Sequence, residues 1–373
     1  MSWIQRIMFF FTCLAGGVLL ISYTAAYIDP ADFWYPAFFG LAYPFILAVN
    51  ILFLAYWLLM RRWLALFPLL FILCGYNVLI RNVALRFPQR ELPPGARRDD
   101  ADVVRVLSYN VHQFTPFEAP KQDVDRRNQF VALLKSEMPD IACLQEFYAR
   151  NKGRFANVDT VKKALSMAHF KLRPTFESKT EMAGMAIFSR YPIRRTGTLN
   201  FEEHGENALW ADIELKKGRI IRIYSIHLQS LHMEQEDYRF IEEVKNSDAN
   251  PVNIKPGSPS RRIGGRLKTA FIKRSVQAQI VRDAVKHSPY PYIICGDFND
   301  TPASYALHTI AAGTKNAFTE RGSGFVRTYN GAFPNFQIDY ILASEKAFDV
   351  LTYSVNEQKL SDHYAVRSDL RLK

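Results

Sequence analysis

The sequence predicts a layered α/β (α+β) domain of packed β-sheets behind three transmembrane helices. Three stretches without a charged residue, Ile7 to Ile28, Phe33 to Met60 and Trp63 to Ile80, run 22, 28 and 18 mostly apolar residues. From Val103 onward, short β-rich runs alternate with amphipathic stretches. That mixture of hairpins and strand–helix units buries its apolar faces by stacking in layers.

Each uncharged stretch fits the roughly 20 residues a helix needs to cross a bilayer. A cleaved signal peptide explains the first one less well, because its apolar length exceeds the usual core and two further spans follow. A soluble helical hairpin explains them less well still, since the helices would be apolar on every face. The expectation is a membrane anchor over residues 1–80, with spans at about 7–28, 33–60 and 63–80. Arg6 precedes the first span and Arg61–Arg62 fill the second loop, whereas Asp29 and Asp32 occupy the first. Positive loops stay cytoplasmic, which predicts a multi-pass protein with the domain after the third span extracytoplasmic. Arg81, Arg86, Arg90, Arg97 and Arg98 point the other way, but long tails translocate largely regardless of charge.

Residues 81–102 carry three prolines and no apolar period, and read as a linker. The domain proper, residues 103–373, opens on the strand VVRVLSYNV. A helix over Arg127 to Met138 follows, then strand IACLQEF and a helix near Val158–Ala168. MAIFSRYPI, ALWADIELK and RIIRIYSIHL are further strands, the last two joined by a Lys-Gly turn. A helix over residues 263–287 leads into YIICGDFND, and QIDYILAS and AVRSDLRL close the chain. Cys13 and Cys74 fall in spans and Cys143 and Cys295 in apolar strands, so the four cysteines read as small hydrophobes.

Net charge is +11, of which +8 belongs to residues 101–373. A basic surface suits a polyanion or an anionic lipid face without separating them. Between Met233 and Lys273 an acidic patch (Glu234, Glu236, Asp237, Glu242, Glu243) precedes an acid-free run holding Lys255, Arg261, Arg262, Arg266, Lys268, Lys273 and Arg274. This run reads as a phosphate-backbone or headgroup dock. A solvated helix face, with Leu267, Ala270, Phe271 and Ala278 turned inward, accounts for it slightly better.

Six segments end an apolar run on a polar residue. They supply Asn110 in LSYNV, Glu146 in IACLQEF, His227 in IYSIHLQ, Asp297 and Asn299 in IICGDFNDTP, Asp339 in QIDYIL, and Asp362–His363 in LSDHYAV. Carboxylates at the ends of buried strands are costly unless paired or metal-bound. Any single one is as well explained by a turn or cap; six together are not. The set suits phosphodiester hydrolysis. A hard cation wants carboxylate oxygens, a neutral His takes a proton from water, and Asn or a second His donates to phosphoryl oxygens. No zinc-spaced Cys/His cluster, GxSxG elbow or glycine-rich phosphate loop is present.

SYN, LQE, FSRYPI, GDFN, IDYIL and SDH, in this order, resemble the endonuclease/exonuclease/phosphatase family, which includes deoxyribonucleases, abasic-site endonucleases, sphingomyelinases and inositol-polyphosphate phosphatases. The resemblance covers residues 103–373 and implies a four-layer sandwich of two packed β-sheets flanked by helices. It implies Glu146, with Asp362 and Asn110, at a Mg²⁺ (or Mn²⁺) site. His363 would be a general base oriented by Asp339, and Asp297 and Asn299 would place water and phosphate. Whether Asp297 or His363 takes the proton stays open. His227 would contact the phosphate or leaving group; Arg190 and Arg274 read as structural. Tyr364–Ala365 after the final Asp-His, and VRTYNGAFPNF upstream, depart from the abasic-site pattern and weaken a DNA-repair reading. The expected activity is a membrane-anchored, metal-dependent phosphodiester hydrolase of endonuclease type acting on nucleic acid. A phospholipid or inositol-phosphate hydrolase is the alternative, and a non-catalytic membrane-bound interaction domain ranks below both. The lipid bilayer and the phosphodiester are the partners implied; no obligate protein partner is.

Overall fold

The computed structural model describes residues 1–84, 86, 102–114, 124–201, 207–231, 233–245, 257–331 and 335–373. The chain begins with helices α1 (Trp3–Thr24), α2 (Tyr35–Leu41), α3 (Tyr43–Leu59), α4 (Leu66–Cys74) and α5 (Tyr76–Asn82). Among the described residues only α1 is, unbroken, long and apolar enough to cross a membrane. The expected second and third spans are broken instead: α2 meets α3 at 65°, and the segment Trp63–Cys74 meets α5 at 71°. Each break has a local cause that charge-free windows do not register. Pro44 has no N–H to donate and its ring crowds the carbonyl four residues back, so α3 restarts at Tyr43. At Gly75 a Cβ would lie 1.9 Å from the Tyr23 ring, so the chain turns against α1 where only glycine fits. Polar side chains knit the helices inside: Trp57 Nε1 donates to Thr12 Oγ1 at 2.9 Å, and Tyr23 Oη to the Phe71 carbonyl at 3.0 Å.

The expected linker is only partly described, since residues 85 and 87–101 lie outside the described ones. Its start is structured. Arg81 and Asn82 finish α5, and β1 (Val83–Ala84) pairs with a strand of the later domain. That domain then runs β2 (Val103–Asn110), α6 (Val124–Glu137), β3 (Ile141–Arg150), α7 (Asn157–Leu165), β4 (His169–Glu177), β5 (Glu181–Ser189), β6 (Ile193–Asn200), β7 (Asn207–Glu214) and β8 (Ile220–His227). There follow α8 (Gln235–Lys245), α9 (Pro259–Lys286), β9 (Tyr292–Asp297), α10 (Tyr305–Ala311), β10 (Thr314–Asn316), α11 (Ala317–Arg321), β11 (Gly324–Phe325), β12 (Asp339–Ser344), β13 (Phe348–Asn356) and β14 (Ala365–Leu372).

Two six-stranded sheets result, ordered β10-β12-β9-β8-β7-β6 and β13-β14-β2-β3-β5-β4. Each has one parallel pair at its heart, β8/β9 and β2/β3, among antiparallel neighbours. Alternating apolar side chains such as Val104, Val106, Cys143, Ile187, Leu209, Ile223, Cys295 and Ile341 meet between the sheets. The opposite faces are covered by helices. Phe130, Leu133 and Val161 of α6 and α7 close one, and Ala278, Val281 and Leu307 of α9 and α10 the other. The domain is thus α/β, two packed mixed sheets flanked by helices.

Candidate active site

The parallel pairs place the chemistry. Parallel strands that start together also end together, so the last residues of β2 and β3, and of β8 and β9, come to one rim of the sandwich. His227 pairs in register with Asp297, and Asn110 with Gln145 beside Glu146. β12 runs antiparallel to β9, which sets its first residue, Asp339, opposite Asp297. His363 lies just before β14, which runs antiparallel to β2. Ser361 Oγ ties that segment down by donating to the Asn110 carbonyl at 2.9 Å.

Two backbone devices sharpen the rim. Glu146 sits at a bulge in β3 with φ +50°, which turns its carboxylate out of the strand's alternation. Gly296, in GDFN, has φ +145°, and a Cβ there would lie 1.9 Å from the Ile226 carbonyl oxygen. Only glycine lets β9 lie against β8 at that point.

Asn110, Glu146, His227, Asp297, Asn299, Asp362 and His363 all line one cavity of about 250 Å³. Asp339 lies beneath it, fully buried. Asp297 Oδ2 is the hub: it accepts from Asn110 Nδ2 at 3.2 Å, with His363 Nε2 at 3.5 Å and His227 Nε2 at 3.6 Å. Its Oδ1 accepts from the Asn299 amide at 2.8 Å. Asn110 Nδ2 also donates to Glu146 Oε1 at 3.1 Å, so one amide spans two carboxylates. Asn299, itself at φ +51°, donates its Nδ2 to the Leu228 carbonyl.

His363 Nδ1 lies 3.0 Å from Asp339 Oδ2, leaving Nε2 toward the cavity. Burial works to discharge this imidazole, but Asp339, Asp297 and Asp362 outweigh it and hold its pKa well above the ordinary 6.5. Burial pushes the Asp339 carboxyl up to about 6, against the opposing pull of His363.

Several supports were not singled out by the sequence. Thr328 Oγ1 accepts from the Asp339 amide at 2.9 Å, and the Tyr329 ring stands edge-on to His363 at 5.3 Å. Both fall in VRTYNGAFPNF, of which residues 332–334 lie outside the described ones. Polar residues in a loop carry no period, so nothing local distinguishes them from turn formers. Arg274 is buried against Asp300 at 3.2 Å, and Arg190 pairs with Asp140 at 3.4 Å; both are far from free cations. Part of the basic run is spent in the same way. Arg262 meets Asp237 at 2.7 Å and Glu236 at 3.3 Å, and Arg266 meets Glu234 and Asp237. Lys255 lies outside the described residues.

The donor set fits a hard divalent cation. Glu146, Asp297 and Asp362 offer carboxylate oxygens to a cavity with room for water, the ligand chemistry that Mg²⁺ prefers. The three groups close enough to share one ion among the described residues are Asp297, Asp339 and His363. Asp339 and His363 are hydrogen-bonded to each other, and Asp297 accepts from Asn110 and the Asn299 amide; Glu146 and Asp362 are further acids lining the cavity. Asn110 turns its amide nitrogen, not its oxygen, to the carboxylates.

A family model described as Endonuclease/Exonuclease/phosphatase family matches residues 107–363. A second, described as a domain of unknown function, matches residues 5–82. No curated protein matches the chain. Among solved structures, an endonuclease/exonuclease/phosphatase from Beutenbergia cavernae DSM 12333 is 19% identical with a TM-score of 0.51, covering 73% of this chain and 72% of that one. A family protein from Bacteroides thetaiotaomicron is 17% identical at 0.51, covering 73% and 98%. The human Nocturnin catalytic domain is 18% identical at 0.51, covering 76% and 100%. At such identities the likeness is one of fold.

Proposed function

We propose, from the premise that the chain belongs to the endonuclease/exonuclease/phosphatase family, that it is a membrane-anchored, divalent-metal-dependent phosphodiester hydrolase. The observation that carries this reading is the convergence on Asp297. Side chains from the ends of β2 and β8 and from the SDH segment, distant along the chain, turn nitrogens onto the one carboxylate at the end of β9 within 3.6 Å. Nothing about packing a strand end requires that; positioning a phosphate and a water does.

Each group has a role that follows from its surroundings. Asp339 fixes the His363 tautomer and orientation, and in its neutral form the imidazole, with its proton held on Nδ1, takes the proton of the attacking water at Nε2. Asp297 holds that water with Asn299, and His227 and Asn110 donate to the phosphoryl oxygens as charge builds there. Glu146 and Asp362 would hold the cation, Mg²⁺ or Mn²⁺, which when bound neutralises phosphate charge. The alternative base, Asp297, is less suited because both its oxygens already accept hydrogen bonds.

We read residues 1–80 as the anchor and 103–373 as the catalytic unit. All the described exposed large hydrophobics but Phe170, Phe176, Val276 and Phe325 lie in residues 1–76, including Phe10 at 64%, Leu52 at 69% and Leu59 at 80% exposure. An apolar surface of that extent favours a bilayer over water.

The test is turnover of bis(4-nitrophenyl) phosphate by the full chain in detergent micelles with Mg²⁺, Mn²⁺ or chelator. Chelation should abolish turnover. His363→Ala should lower kcat by a factor of about 10² or more with secondary structure retained, and Glu146→Gln should shift the Mg²⁺ titration to higher concentration. Metal-independent turnover, or a near-normal rate in His363→Ala, would sink the reading.

A further inference from the structure

The catalytic cavity is also lined by apolar side chains, Leu41, Leu231, Met233, Leu267, Phe271 and Phe336, beside Arg274 and Asp300, which pair with each other. Leu41 does not belong to the catalytic fold: it is the last residue of α2, between two helices of the apolar amino-terminal unit. α2 is held there by several contacts. Phe38 packs edge-on to Phe271 at 5.2 Å, Lys268 Nζ lies 4.7 Å from the Trp34 ring centroid, and Gln279 Nε2 donates to Asp29 Oδ2 at 2.6 Å. Two residues beyond Leu41, α3 begins, and its Phe45, 57% exposed on the bundle surface, meets the ring of Phe336 at 6.4 Å. An apolar path thus runs from the bilayer-facing surface of α3, over Phe45 and Phe336, to Leu41 and the reaction centre.

A nucleic acid strand is a poor occupant of such a wall. It carries further phosphates on either side of the scissile one, and these need cations along the groove. Here the arginine lining the cavity, Arg274, is committed to Asp300, and Arg262 and Arg266 of the same helix are committed to Asp237, Glu236 and Glu234. An alkyl chain gains on the same wall, roughly threefold to fourfold in affinity per methylene buried.

We infer that the site takes a membrane lipid carrying a phosphodiester headgroup, entering along α2 and the start of α3. The phosphate sits among Asp297, His227 and His363, and the first methylenes of the tail lie on Leu41, Phe271 and Phe336. This rests on the hydrolase reading above. Water forms a bond to phosphorus, one P–O ester bond breaks, and the leaving alcohol departs with the proton that water gives up.

The test uses the full chain in detergent micelles with Mg²⁺. Dibutyryl and dihexanoyl forms of phosphatidylcholine, phosphatidylethanolamine and phosphatidylglycerol are compared with plasmid DNA and bis(4-nitrophenyl) phosphate. At least one headgroup should show kcat/KM tenfold or more higher for the dihexanoyl than the dibutyryl form. Leu41→Asp and the milder Leu41→Ala should each reduce that ratio, Leu41→Asp to near one, with every rate normalised to the variant's own chromogenic turnover. A chromogenic substrate cleaved with no chain-length preference, a ratio unmoved by both variants, or plasmid cleaved faster than any lipid overturns the lipid assignment alone. If no diester is cleaved at all, the hydrolase reading fails first.

Discussion

Burial works against an imidazolium at His363, but three carboxylates outweigh it and raise the pKa, and Asp339 is the one hydrogen-bonded to the ring. The sign of its effect follows. A histidine whose folded pKa exceeds the ordinary 6.5 contributes stability that is complete below that value and lost as pH rises through the folded pKa. In Asp339→Asn that loss should move to lower pH, and the His363 Cε1–H resonance of the metal-free protein should titrate at lower pH than in the parent. A folded-state titration of His363 at or below 6.5 in the parent would contradict the assignment. Because Asp339 is itself raised to about 6 by burial, the pair should titrate in two steps rather than one. At this scale the sequence is informative wherever a polar residue interrupts an apolar run. Asn110, Glu146, His227, Asp297 and His363 stand out for that reason, and Thr328 and Tyr329, which brace Asp339 and His363 from a loop, do not.

The strands readable from sequence share one property: β2, β3, β5, β7, β8, β9, β12 and β14 are interior strands of the two sheets. Within these two sheets the four not anticipated, β4, β6, β10 and β13, are the four edges. An edge strand has a partner on one side only and fewer neighbours to cover it, so its apolar alternation is diluted. β4 carries Pro174 and β6 carries Arg194, Arg195 and Gly197. The same logic explains the amino-terminal helices, whose composition announces apolar length but not the bends at Pro44 and Gly75. α2, the product of the first bend, is one of the elements that reach the catalytic domain, and it packs there at Gly40, where a Cβ would lie 2.5 Å from Ala25 Cβ and 3.4 Å from the Ala303 carbonyl oxygen. Gly40→Leu should therefore lower the thermal midpoint of the full chain, by overpacking worth about 2 kcal/mol. Gly17→Leu, on α1 with nothing within 4 Å of its Cβ position, serves as control and should leave the midpoint unchanged. Equal effects at both positions would mean that α2 is not tightly docked.

At the scale of the molecule, the docking of α2 and the pairing of β1 with β11 fix which end of the helical unit faces the catalytic domain. Asp29, Tyr27 and Arg81 lie at that end: Tyr27 packs on His308 at 4.7 Å, and Arg81 Nη1 lies 3.0 Å from His308 Nδ1. Burial first, and Arg81 second, lower the pKa of His308, so it meets the guanidinium as a neutral acceptor. Arg6 starts α1 and Arg61–Arg62 join α3 to α4, which sets both at the opposite end. Clustered arginine in short loops stays cytoplasmic, so the catalytic domain should face outward. The expected outcome can be read by cysteine labelling in a chain lacking Cys13 and Cys74, since Cys143 and Cys295 are fully buried and silent. In intact cells a membrane-impermeant maleimide should modify Lys179→Cys, in the exposed turn between β4 and β5, and reach Arg62→Cys only after permeabilisation. The reverse pattern would place the active site inside, and labelling of both in intact cells would mean that the arginine loop does not lie across a membrane from the catalytic domain.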